Sequence, residues 1–228
     1  MKSIILIAPP AAGKGTLSNI LSKKYNIPHI STGDLLRQRA SVDDEFGIEL
    51  LCLLKSGDLV SDDIVLDLLR NRLAEPDCKN GYLLDGYPRN ISQAKRLDSM
   101  LGELNLKCDL IVNLDIDMEN AYKRISGRMS CPNCGATYNK NNISTLPKVE
   151  GICDECGSKL IVRADDNRES FIERFEVFNK YTLPVIEYYK NSSNFVRFDG
   201  TMDSNIIADK ISEMLEGDLW LLLKVIGK

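Results

Sequence analysis

Residues 2–17 read KSIILIAPPAAGKGTL, an apolar run that leads directly into a Gly-Lys turn. The run predicts a buried strand, and Gly13 to Thr16 predict a tight turn that opens a helix. A helix N-terminus after such a turn binds nucleotide phosphates through its backbone N–H groups and dipole. The P-loop pattern G-x-x-x-x-G-K-[ST] differs here, because Ala8 and Gly15 stand at two of its positions. Gly-Lys after a strand also occurs as ordinary turn chemistry, so the rest of the chain must decide.

The composition fits one domain with insertions. The chain has 228 residues, of which 43% are hydrophobic and 27% are charged. A net charge of -4 and a pI near 5.2 argue against a general nucleic-acid binder, and no apolar run reaches the ~18 residues of a membrane span. Seven cysteines, an odd number, without a secretory signal predict a reducing cytoplasmic location. Cys52 and Cys108 lie in apolar contexts and are predicted to be small core residues.

Strands that alternate with helices predict an α/β fold, a doubly wound five-stranded parallel sheet. The later strands fall at Asn26–Ile30, Gly81–Gly86, Asp109–Asp115 and Phe195–Phe198. Ligands of such sheets lie at the carboxyl ends of the strands. The residues expected on that rim are Lys14, Thr32, Asp85, Gly86 and Gly200.

Asp85 ends its strand beside the phosphate loop. A carboxylate in this position commonly holds Mg²⁺ or its water shell, whereas the alternative is a cap for the helix that follows Asn90. His29 is the sole histidine of the chain, and a packing role is expected for it rather than catalysis. A helix predicted over Met118–Met129 would carry Arg124 and Arg128 on one face.

Two C-x₂-C-G knuckles, CPNCG at 131–135 and CDECG at 153–157, lie 18 residues apart. Cys131, Cys134, Cys153 and Cys156 match a tetrahedral zinc site in which every ligand comes from the protein, so the metal would be structural. Two disulfides are the alternative, and the cytoplasmic interpretation disfavours them. Basic residues flank the module on both sides, which suggests a lid that closes arginines onto a polyphosphate.

At this point the chain resembles the adenylate kinases in their long form with a zinc-binding lid, from Met1 to about Leu215. Five stretches carry the resemblance: PPAAGKGT at 9–16, STGDLLR at 31–37, GYLLDGYPRNISQA at 81–94, RISGRMSCPNCGATYN at 124–139 and RADDNRESFIERF at 163–175. The implied reaction is reversible phosphoryl transfer from MgATP to AMP, which gives two ADP. The implied partners are ATP and AMP, with no nucleic acid and no membrane, and the chain is expected to be a cytoplasmic monomer.

The resemblance also implies roles on the ATP side. Lys14 would bridge the β- and γ-phosphates, while Gly13, Gly15 and Thr16 would supply loop N–H groups and a hydroxyl. Asp85 would orient the water shell of Mg²⁺.

The AMP pocket would contain Thr32, Arg37, Gly86, Arg89 and Gln93. In this pocket Arg37 and Arg89 would bind the phosphate, and Thr32 and Gln93 would face the adenine. Thr32 favours AMP, because related UMP/CMP kinases tend to have Ala there.

Four arginines would clamp the transferring phosphoryl group: Arg124, Arg128, Arg163 and Arg174. Arg124 would also stack on the ATP base, and Asp165 with Asp166 would help to hold the lid closed. Tyr138 and Gly200 complete the expected nucleotide-binding set.

The implied domains are a core of residues 1–30, 74–128 and 166–228, a monophosphate-binding insertion of residues 31–73, and a zinc lid of residues 129–165. The chain departs from the family at Ala8 and Ala11, which replace glycines of the phosphate loop. If either residue needs a positive φ, its methyl group strains the loop by ~1–2 kcal/mol. A degenerate, weakly active nucleotide binder is therefore an alternative, and a zinc-ribbon nucleic-acid binder is a more distant one. The apolar tail, residues 217–228, has no assigned role.

Overall fold

The computed structural model describes residues 2–56, 60–162 and 166–217. Within them, a parallel sheet has the strand order β2-β3-β1-β4-β7, and β5 and β6 form a separate antiparallel pair. The strands are β1 (Lys2–Ile7), β2 (His29–Ser31), β3 (Gly81–Asp85), β4 (Leu110–Asp115), β5 (Arg128–Ser130), β6 (Thr137–Asn139) and β7 (Phe195–Asp199). The predicted five-stranded doubly wound sheet is confirmed.

Helices connect these strands and cover both faces of the sheet. They are α1 (Lys14–Tyr25), α2 (Thr32–Ala40), α3 (Glu45–Ser56), α4 (Asp62–Leu73), α5 (Ile91–Glu103), α6 (Met118–Ile125), α7 (Arg168–Val177), α8 (Leu183–Tyr189) and α9 (Ser204–Glu216). No helix among the described residues is both long and apolar enough to cross a membrane.

The central strand β1 divides the core into two layers because its side chains alternate between the faces of the sheet. Ile4 and Leu6 pack in one cluster with residues of α1, α7 and α9. Ile5 and Ile7 pack in a second cluster with residues of α4, α5 and α8. Helices therefore bury both faces of the sheet, which explains why its strands are continuous apolar runs.

The insertion between β2 and β3 consists of α2, α3 and α4. Ser31 accepts a hydrogen bond from the Asp34 N–H, and Ser61 accepts one from the Ile64 N–H, so each serine caps its helix. Cys52 of α3 is exposed, so the prediction of a core position for it was wrong. An apolar context in sequence does not distinguish the solvent side of an amphipathic helix from its buried side.

The structure differs from the sequence prediction where the chain enters the lid. The helix predicted over Met118–Met129 ends at Ile125, and Arg128 begins β5, which pairs with β6. Arg124 and Arg128 therefore do not share a helix face. A Cβ at Gly127 would lie 2.3 Å from Asn139 Oδ1, so a larger residue here would displace the side chain of Asn139.

A π-helical segment, Phe178–Thr182, joins α7 to α8. Pro184 lies in the first turn of α8, where its missing N–H removes a regular α-helical hydrogen bond. The helical chain from α7 to α8 is thus interrupted at this segment.

Candidate active site at the carboxyl ends of the strands

The phosphate loop links the end of β1 to the start of α1. Gly13 has φ 97°, and its carbonyl accepts the Leu17 N–H at 3.1 Å, which starts the helix. Ala11 has φ 62°, in the left-handed region, whereas Ala8 does not. The conditional prediction of strain therefore applies to Ala11 alone.

Lys14 curls back over this loop. Its Nζ donates to the carbonyl oxygen of Ala8 at 2.8 Å and to that of Pro9 at 3.4 Å. Burial lowers the pKa of Lys14, the negative charge of Asp85 opposes that shift, and the positive charges of Arg89 and Arg128 add to it. One ammonium, one carboxylate and two guanidiniums therefore interact electrostatically at the N-terminus of α1.

Asp85 lies at the end of β3, next to the loop. His29 Nε2 and Asp85 Oδ2 are 3.3 Å apart, and both side chains are largely buried. Burial alone would raise the pKa of Asp85, but the hydrogen bond to His29 and the charges of Lys14 and Arg89 outweigh it and hold the pKa below its usual value. Asn90, not Asp85, caps α5, so the capping alternative for Asp85 was wrong.

Arg89 forms three hydrogen bonds with other residues of the protein. Its Nε donates to the Gly86 carbonyl at 2.8 Å, and its backbone N–H donates to Gln93 Oε1 at 2.7 Å. Thr182, in the π-helical segment, donates its hydroxyl to the Arg89 carbonyl at 2.9 Å. Thr182 was not predicted from the sequence, because its contact with Arg89 spans 93 positions of the chain.

The other residues expected around AMP lie beside Arg89 or on the helical insertion. Thr32 Oγ1 donates to the Gly86 carbonyl at 3.3 Å. Gln93 Nε2 donates to Asp62 Oδ1 of α4 at 2.5 Å. Arg37 is exposed on α2 and pairs with Asp34. The hydrogen bonds therefore bring Thr32, Gly86, Arg89 and Gln93 together, whereas Arg37 pairs with Asp34 within α2.

Arg124 connects the phosphate loop to the loop after β7. Its guanidinium donates to the carbonyls of Gly200 at 2.6 Å, Thr201 at 3.2 Å and Ala12 at 3.3 Å. A cavity of about 270 Å³ adjoins it, lined by residues that include Arg124, Thr201 and Asn139. The side chain of Asn139 in turn donates to the Arg124 carbonyl at 2.8 Å.

Arg128 and Arg174 converge on one carboxylate. Asp166, whose side chain is fully buried, accepts two hydrogen bonds from Arg128 and lies 3.5 Å from Arg174 Nη2. Two of the four predicted clamp arginines thus share one anionic partner. Arg163 and Asp165 lie outside the described residues, as does the tail beyond Gly217.

The four predicted cysteine ligands form one cluster in the lid. Their sulfur atoms all lie within 4.8 Å of one another, and two pairs, Cys131–Cys156 and Cys134–Cys153, are 3.4 and 3.5 Å apart. A disulfide needs a separation of about 2.05 Å, whereas ligands of a tetrahedral zinc with bonds of about 2.3 Å lie about 3.8 Å apart. The arrangement fits a metal and not two disulfides.

Turns and a tyrosine support this cluster. Gly135 and Gly157 have φ of 74° and 72°, which lets the chain turn around each knuckle. The Tyr138 hydroxyl accepts the Asp154 N–H at 2.7 Å and lies 3.5 Å from Cys153 Sγ. Tyr138, predicted to bind nucleotide, is thus placed in the buried centre of the lid beside the cysteines.

A parallel sheet with a phosphate loop at the carboxyl end of its central strand, a helical insertion and a small lid defines a P-loop nucleoside monophosphate kinase fold. The family model for adenylate kinase matches residues 6–194. The chain is 45% identical to an adenylate kinase from Clostridium tetani, over 93% of this chain and 98% of that relative. It is 41% identical to adenylate kinases from Finegoldia magna and Methanothrix thermoacetophila, with alignments that cover 93% or more of each chain.

The chain belongs to the adenylate kinase family, and it is a phosphotransferase. Family membership implies ATP and AMP as substrates, with Mg²⁺ accompanying ATP. None of the reported relatives favours the degenerate, weakly active alternative.

Proposed function

We propose that this chain catalyses the reversible transfer of a phosphoryl group from MgATP to AMP, which gives two ADP. The observation that carries the proposal is the electrostatic grouping of Lys14, Asp85, Arg89 and Arg128 at the N-terminus of α1, in a chain similar to adenylate kinases over nearly its whole length. A cationic site at a helix N-terminus suits a polyphosphate.

On the ATP side, Lys14 would leave the carbonyls of its own loop to bridge the β- and γ-phosphates. Gly13, Gly15 and Thr16 would supply N–H groups and a hydroxyl to the same phosphates. Arg124 would lie against the base, a role supported by the adjoining cavity of about 270 Å³.

On the AMP side, Arg89 and Arg37 would bind the phosphate, and Thr32 and Gln93 would face the adenine beside Gly86. The three hydrogen bonds that hold Arg89 support its part in this role, since its guanidinium reaches the site from a fixed backbone. Arg37 would exchange its present pairing with Asp34 for the phosphate.

The chemistry needs no strong general base, because the acceptor is already an anion. Catalysis would come from positioning and from neutralising charge in a loose transition state. Arg128, Arg163 and Arg174 would supply planar, permanently charged donors to the transferring group. The residues of the lid, 129–165, and of the insertion, 31–73, would close over the nucleotides and exclude water, which would otherwise hydrolyse ATP.

The lid would hold one structural zinc through Cys131, Cys134, Cys153 and Cys156. The spacing of the sulfur atoms supports this assignment. With four protein ligands the metal would take no part in phosphoryl transfer. The chain would act as a cytoplasmic monomer, which sedimentation of the purified protein would test.

A coupled assay of ADP formation with ATP and either AMP, CMP, UMP or GMP tests the proposal. We expect turnover with AMP at rates typical of metabolic kinases and weaker activity with the other three monophosphates. Binding of ATP by calorimetry together with negligible ADP formation would contradict the proposal and favour the weakly active alternative.

A further inference from the structure

We infer that His29 is a positioning residue for Asp85, and that it orients this carboxylate toward the water shell of the metal in MgATP. The inference rests on the proposed function of Asp85 and adds a residue for which packing alone was expected. The site that it concerns lies on the α1 face of the sheet.

The register of the sheet places the two side chains on that face. His29 of β2 stands opposite Leu83 of β3, and Asp85 follows Leu83 by two positions. Leu83 packs in the core cluster that contains residues of α1, so His29, Leu83 and Asp85 all point toward α1. His29 therefore meets the carboxylate at the end of the sheet where Lys14 lies.

The direction of the hydrogen bond follows from the charge on Asp85. The lowered pKa of this carboxyl keeps it ionised, and an ionised carboxylate only accepts hydrogen bonds. Nε2 of His29 therefore carries the hydrogen and donates to Oδ2 across 3.3 Å. Oδ1 remains as the oxygen that can accept from a metal-bound water.

The neighbouring cations explain why a donor is needed here. The positive charges of Lys14 and Arg89 both attract the carboxylate of Asp85. The positive charge of Arg128 in turn lowers the pKa of Lys14. A carboxylate free to rotate would pair with one of these cations and turn away from the metal shell. The hydrogen bond from His29, on the neighbouring strand β2, fixes the orientation of the carboxylate.

The test compares His29→Leu with His29→Gln in the full chain. The two replacements have similar volumes, but only glutamine retains an N–H donor. We expect leucine to lower kcat about tenfold, as loss of an outer-shell partner of a metal site does. Glutamine should restore most of kcat, and the KM for AMP should change little in either variant.

Calorimetry supplies a readout besides activity: the Kd for ATP measured with and without Mg²⁺. In His29→Leu, Mg²⁺ should strengthen ATP binding about tenfold less than in the parent, while the Kd without Mg²⁺ stays the same. In an Asp85→Asn background His29→Leu should add no further loss, since the two residues act as one unit. If His29→Leu does not fold, His29→Ala replaces it in the same comparisons.

Equal losses in His29→Leu and His29→Gln would overturn the inference, as would an undiminished Mg²⁺ effect in His29→Leu. An additional loss in the Asp85→Asn background equal to that in the parent would also overturn it. Failure of the proposed function would look different, because the parent chain itself would then form no ADP from AMP.

Discussion

The sheet and the lid are stabilised in different ways. On either side of the sheet, extended clusters of buried aliphatic and aromatic side chains cover the strands. In the lid, the buried cluster consists of Cys131, Tyr138, Cys153 and Leu160, two of which are predicted metal ligands. Burial of apolar area can hold the sheet together, whereas we propose that the bound metal supplies the folding energy of a segment with so small a core. This difference predicts that a substitution at the carboxyl ends of the strands can lower catalytic activity without lowering stability. In the lid, a substitution of a cysteine should lower both the order of the segment and the activity.

The largest expected effect separates chemistry from fold in the sheet region. Lys14→Ala should lower kcat by about three orders of magnitude, because it removes the cation nearest the phosphate loop. The melting temperature should change little, since Lys14 bonds only carbonyls of its own loop among the described contacts. Steady-state kinetics and calorimetry measure the two quantities. Lys24→Ala, an exposed site on the same helix, is the matched control, and near-normal turnover of Lys14→Ala would refute the assigned role.

The next effect addresses the lid, where one substitution should remove both metal and order. Cys153→Ser should bring bound zinc well below the expected value of about one per chain and lower kcat about tenfold to a hundredfold. The main calorimetric transition, which reports the sheet, should stay near its parental temperature. Limited proteolysis should then cut within residues 129–162 first.

Cys52→Ser is the control for this experiment, because Cys52 is an exposed cysteine outside the lid. It should leave the zinc content and the proteolysis pattern unchanged. Unchanged zinc content in Cys153→Ser would count against the four-cysteine site. Loss of zinc together with a large fall in the temperature of the main calorimetric transition would remove the contrast between sheet and lid.

The same contrast explains what the sequence could predict. The strands of the sheet were found because a strand buried on both faces reads as an apolar run, as residues 110–115 do. The cysteine cluster was predicted because metal sites have short fixed spacings, and the four sulfur atoms do lie together. Both signals are local in the sequence.

The missed features depend on contacts between distant segments. The helical pattern of residues 118–129 is locally good, but pairing of Arg128–Ser130 with Thr137–Asn139 converts its end to a strand. The hydrogen bonds His29–Asp85 and Thr182–Arg89 join elements 56 and 93 positions apart. No periodicity or spacing encodes such pairs.

A smaller effect concerns the strained residue of the phosphate loop. Ala11 has φ 62°, which costs an L-residue about 1–2 kcal/mol. Ala11→Gly should relieve that strain. Glycine also raises the entropy of the unfolded chain, which destabilises the folded state by up to about 1 kcal/mol, so the net stabilisation should be about 0.5 kcal/mol. Ala8 is buried without a positive φ, so Ala8→Gly should destabilise by about 1 kcal/mol.

Urea denaturation of both variants measures these opposite signs. Destabilisation by both substitutions would show that Ala11 is not strained in solution. The kcat of Ala11→Gly also tests the weakly active alternative, since a large gain would mean that the alanine limits turnover.

The smallest effect tests whether the lid draws stability from the sheet region. Lys23 of α1 and Glu155 of the lid are 3.0 Å apart, with both side chains more than half exposed. An exposed ion pair contributes little to stability because solvent screens its charges. A double-mutant cycle of Lys23→Ala and Glu155→Ala should therefore give a coupling free energy of about 0.5 kcal/mol or less. This coupling should disappear in 1 M salt. A coupling above about 2 kcal/mol would mean that the lid is held by α1 rather than by its metal, and the contrast between the two regions would then fail.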